Sequence, residues 1–72
     1  MPITEQLPEV DQPQHKLSEL TTYELRDFRR QLEKAVAYFD QQDPVPPVRG
    51  NLQATLDAVI AEQEDRVRLA HA

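Results

Sequence analysis

Cysteine and tryptophan are absent from the 72 residues, glycine occurs once, and phenylalanine and tyrosine occur twice each. Without cysteine there are no disulfides, no thiolate metal sites and no cysteine nucleophile. One glycine, Gly50, rules out a glycine-rich phosphate loop. The longest uninterrupted apolar run is Ala35-Val36-Ala37-Tyr38-Phe39, far short of the ~20 residues of a membrane span. The early residues Glu5, Glu9 and Asp11, with no apolar run beside them, do not read as a signal peptide. These shortages predict a soluble, cytoplasmic chain with no membrane association, and an arginine-rich, lysine-poor balance hints at a bacterial genome.

A chain of this length forms one small domain at most. Below roughly 70–80 residues, one core rarely supplies more than about 3–5 kcal/mol, and short natural chains add a disulfide, a metal or a partner. His15 and His71 lie near opposite ends and share no ligand spacing, so no metal site is expected. Association with a second copy or with another protein is the remaining staple.

The six prolines fall into two groups, Pro2, Pro8 and Pro13 and then Pro44, Pro46 and Pro47. They divide the chain into a tail over 1–16 and a helical hairpin over 17–72. The tail is acidic and proline-rich, with only Met1, Ile3, Leu7 and Val10 as apolar content. That composition predicts disorder; the sharper reading makes Ile3, Leu7 and Val10 a docking motif for a partner.

Thr21-Thr22-Tyr23-Glu24 fits a capping box, with Leu20 and Leu25 in the flanking staple positions. Leu25, Phe28, Leu32, Ala35 or Val36, and Phe39 then recur at helical spacing, which predicts a helix over about 22–41. A proline-rich turn follows over 42–47. The second helix runs to about Leu69 and starts either at Pro47, where a missing N–H does no harm, or at Asn51 as N-cap. Its stripe is Val48, Leu52, Leu56, Val59, Ile60 and Val67, interrupted by Gln63, with Ala54, Ala58 and Ala61 opposite. Those alanines read as helix filler, or as a face that lets another helix come close.

The fold class is therefore all-α, an antiparallel two-helix hairpin. Val36 and Phe39 should face Val48 and Leu52, Leu32 should face Leu56, and Phe28 should face Val59 and Ile60. Phe28, Leu32, Phe39, Leu52, Leu56 and Ile60 are expected to be the most buried. Two stripes in a lone pair of helices keep wet flanks, so a dimeric four-helix bundle or docking on a partner should complete the core. The outline resembles small bacterial regulators and adaptors, the plasmid copy-control proteins among them, in which two hairpins pair. The likeness is one of architecture, and no motif residue carries over.

No catalytic constellation can be assembled. Ser18 has no histidine placed to serve it, His15 and His71 read as solvated, and Glu62, Glu64 and Asp65 point in different directions on an acidic face. Neither catalytic nor cofactor-binding residues are expected. One surface pattern stands out: Tyr23, Arg26, Arg30, Lys34 and Tyr38 recur at spacings of three and four, giving a basic face with an aromatic at each end. Such a face suits an acidic protein partner or, less well, RNA. Bordering Asp27 and Glu33 would form ordinary pairs, Asp27–Arg30 and Arg29–Glu33, and the net charge of −5 opposes general nucleic-acid affinity. The expected function is a non-enzymatic interaction or regulatory module. A small nucleic-acid-binding regulator is the alternative.

Overall fold

The computed structural model describes residue 10 and residues 13–71. A 3-10 turn, Leu17–Glu19, precedes two α-helices, α1 (Thr22–Asp40) and α2 (Val48–Ala70), which pack against each other as a hairpin. The described residues contain no strand, so the all-α reading holds.

The capping box forms as its sequence requires. The Thr21 N–H donates to Glu24 Oε1 at 2.9 Å, and the Glu24 N–H donates to Thr21 Oγ1 at 3.1 Å. Two of the donors that a helix start leaves unpaired are thus satisfied. Both staple positions, Leu20 and Leu25, are buried. Leu25, Phe28, Leu32, Ala35 and Val36 bury one face of α1.

At the other end the Gln41 N–H bonds the Tyr38 carbonyl, and the Gln42 N–H bonds that of Phe39. The Asp43–Pro44 peptide bond within the turn is cis. Pro47, at φ −59° and ψ −26°, is already helical, and the Arg49 and Gly50 N–H groups donate to the carbonyls of Pro46 and Pro47. The helix therefore starts at Val48, directly after Pro47, which holds the N-cap position with a ring that pre-sets φ. Asn51 is not the N-cap; it lies inside the helix, where its carbonyl accepts from Thr55 Oγ1.

Asp40 and Arg49 close the turn. Each is set against its own helix dipole, an acid at a C-terminus and a base near an N-terminus. Arg49 Nε donates to Asp40 Oδ1 at 2.7 Å, and Nη2 to Oδ2 at 3.4 Å. The hairpin brings together two charges that each helix alone would disfavour.

The core differs from the expected seam. Leu20, Phe28, Leu32, Val36, Leu56 and Val59 form it, with Leu25 buried among them. Of the six side chains expected to be deepest, Phe28, Leu32 and Leu56 are buried, whereas Phe39, Leu52 and Ile60 are only half-buried. Val48, expected against Val36 and Phe39, is 42% exposed. The reason is a third layer at the open end of the hairpin. Leu20 is buried there, and Val10 and Leu17 pack on the same cluster. The buried cluster gains cover from this layer, while Phe39 and Val48 beside the turn have no such layer over them.

Arg66 fixes this layer. Its Nη2 donates to the carbonyls of Leu17 (3.1 Å) and Leu20 (2.6 Å), and its Nε pairs with Glu62 at 3.3 Å. The expectation of a tail over 1–16 falls largely on residues 1–9, 11 and 12, outside the described residues, as do Ile3 and Leu7 of the docking motif. Val10, the motif's third member, packs on this chain's own core.

Candidate functional site

The five face residues lie on the side of α1 away from its buried row. Tyr23 is 75% exposed, and Arg26, Arg30 and Lys34 are exposed as well. Tyr38 departs from the pattern: it is half-buried, and its ring meets Phe39 edge-on with centroids 5.2 Å apart. Of the two expected intrahelical pairs, Arg29–Glu33 is present at 3.2 Å. Asp27–Arg30 is not formed, and Arg26, Arg30 and Lys34 have no ion-pair partner among the described residues. These three cations are available to a ligand.

A second surface was not anticipated. Gln63, the polar break in the α2 stripe, accepts from Arg29 Nη1 at 2.8 Å across the two helices. Beside this bond, on the open flank of the hairpin, two neighbouring grooves of about 450 and about 540 Å3 share Gln63 and Val67. Leu25, Ile60 and Val67 supply their apolar surface, and Arg29 and Arg68 stand beside them. Val67 is 60% exposed and Leu69, further round α2, 73%. The signal in the sequence was the misplaced glutamine. Its partner, 34 residues away, was not legible from helical spacing.

Among the described residues no group of three or more His, Cys, Asp or Glu side chains is placed to hold a metal ion. No buried side-chain polar atom lacks a hydrogen-bond partner among them. His15 lies 3.6 Å from Glu19, both on the surface, and Ser18 and His71 are exposed. Glu24 is held below the ordinary carboxylate value, first by the Thr21 backbone N–H and then by the Thr21 side chain, with the nearby His15 adding a smaller effect. That shift belongs to the helix cap and marks no reactive group. No described helix is long and apolar enough to cross a membrane. Comparison with known proteins finds no matching family model, curated protein or solved structure.

Proposed function

We propose that this chain is a small non-enzymatic interaction or regulatory module that works by self-association or by binding a partner protein. One observation carries the reading: over its 23 residues α2 buries only Leu56 and Val59, leaving Val67 exposed beside an apolar groove. A helix so sparsely covered gains by burying more, at about 25 cal/mol for each Å2 of apolar surface removed from water. The N-terminal layer already covers part of the core, so the groove flank is where a second helix or a partner adds most.

The nucleic-acid alternative draws on a different surface. Arg26, Arg30 and Lys34, with exposed Tyr23 at their end, supply cations and one stacking ring. With Tyr38 half-buried, the face has lost one of its two aromatic ends.

Sedimentation equilibrium across a wide concentration range tests the first reading, together with titration against candidate partners. Association that Val67→Asp weakens while helix content persists supports it. A monomer that binds no protein, yet shifts RNA at low salt and loses the shift in Arg26→Ala/Arg30→Ala, replaces it with the alternative.

A further inference from the structure

The outward rows of the two helices carry opposite charges that their own neighbours leave uncompensated. On α1, Arg26, Arg30 and Lys34 are exposed and have no ion-pair partner among the described residues. Of the carboxylates beside them, Glu33 is held by Arg29, and Asp27 forms no ion pair. On α2, Asp57 and Glu64 are exposed, with exposed Ala61 between them. Asp57 accepts from the neutral Gln53 amide at 2.9 Å and, like Glu64, has no ion-pair partner among the described residues. The next acid, Asp65, is held by Arg68.

The two rows match in length. Arg26 to Lys34 spans about 12 Å along its helix axis, and Asp57 to Glu64 about 10.5 Å. Within the hairpin the helices run antiparallel, with Arg29 level with Gln63. Laid side by side in that same sense, the rows bring Arg26 level with Glu64, Arg30 with Ala61 and Lys34 with Asp57. Both rows turn away from the buried faces, which are Leu25, Phe28 and Leu32 on α1 and Leu56 and Val59 on α2. A single chain therefore cannot join its own rows.

We propose that the Arg26/Arg30/Lys34 row of one chain docks on the Asp57/Glu64 row of a second copy, antiparallel and level as above. The inference rests on reading the chain as an interaction module, and it commits self-association to this pair of faces. A second copy is the occupant because it carries the opposite charge at the matching spacing. Ala61 between the two acids leaves room for the longer Arg30 side chain. The contact is heterologous, so a docked pair still presents one free row of each sign. Further copies add in an open array or close into a ring, and association does not stop at two. Exposed ion pairs contribute little each, and the net charge of −5 makes copies repel at long range. The contact is therefore weak, with a Kd on the order of mM.

Two variants of the full chain, each lacking one row, make the test. Arg26→Ala/Arg30→Ala/Lys34→Ala removes the cations and Asp57→Ala/Glu64→Ala the acids, all at exposed helical positions where alanine keeps the helix; circular dichroism checks this. In sedimentation equilibrium at mM concentration, the parent mass should rise past that of a dimer, and each variant alone should associate about tenfold more weakly. Their equimolar mixture retains one row of each sign and should associate as a pair that grows no further. In that mixture, amide shifts of the isotope-enriched cation-free variant should concentrate around Asp57–Glu64, and those of the enriched acid-free variant around Arg26–Lys34. Variants that associate as the parent does, or a mixture that stays monomeric, overturn the docking. Association that Val67→Asp removes and the row variants leave intact also overturns it, while keeping the interaction reading at the groove. A parent that stays monomeric overturns it as well; titration against candidate partners then judges the interaction reading separately, and an RNA shift lost with the cation row assigns that row to nucleic acid.

Discussion

Arg29 reaches across the hairpin to Gln63, donating through Nη1 at 2.8 Å while its Nε holds Glu33 at 3.2 Å. One guanidinium thereby satisfies the single polar side chain that interrupts the α2 stripe and ties it to α1. A double-mutant cycle on Arg29→Ala and Gln63→Ala should give a coupling of about 0.5–1 kcal/mol, the low side of a charge-assisted bond because the arginine is partly solvated. Additive effects in chemical denaturation would mean the two side chains do not act together.

Arg66 holds the N-terminal layer by two carbonyls. Arg66→Ala should destabilise by about 1–3 kcal/mol, and Arg66→Lys should recover only part, because a lysine lacks the planar fork. Hydrogen exchange at Glu19 and Leu20, whose N–H groups close the 3-10 turn, should speed up more than in the middle of α1. Uniform acceleration would indicate global unfolding and no specific tie.

Core burial ranks two substitutions against the size of their side chains. Leu32 is 0% exposed, and Leu32→Ala should cost about 2–5 kcal/mol, much of the stability of so short a chain. Phe39 is half-buried, so Phe39→Ala should cost less although it removes a larger group. Tyr23→Ala should stay within about 0.5 kcal/mol. Thermal denaturation followed by circular dichroism checks the order, and a Phe39 effect exceeding that of Leu32 would contradict the observed core.

Gly50 sits in the first turns of α2 with a negative φ and open space where a Cβ would lie. Gly50→Ala should therefore stabilise by about 0.5–1 kcal/mol through lower chain entropy in the unfolded state. A drop in melting temperature would show that the backbone there is not helical.

The cap of α1 should respond to acid. Because the pKa of Glu24 is lowered in the folded chain, its contribution is complete above the unfolded carboxylate value and is lost as the pH falls through the lowered one. Glu24→Gln should flatten this part of the acid profile. An unchanged profile would place the acid sensitivity elsewhere among the carboxylates.

Local signals decided most of the secondary structure. The Thr21/Glu24 box and the prolines at 44, 46 and 47 act through bonds and sterics within a few residues, so helix limits, the hairpin and the start at Pro47 or one turn later could be read directly. A periodic stripe also names which side of a helix is apolar, as Leu25, Phe28 and Leu32 did. What spacing cannot encode is how much cover each position receives, because that depends on groups distant in the chain. Only the tertiary structure placed Leu17 and Leu20 under Arg66, which shifted the core toward the open end and left Phe39 and Val48 partly exposed. Only it paired Gln63 with Arg29 and opened the groove beside Val67. Sequence periodicity reports what one element offers for burial, whereas contacts between elements determine which offers are taken up.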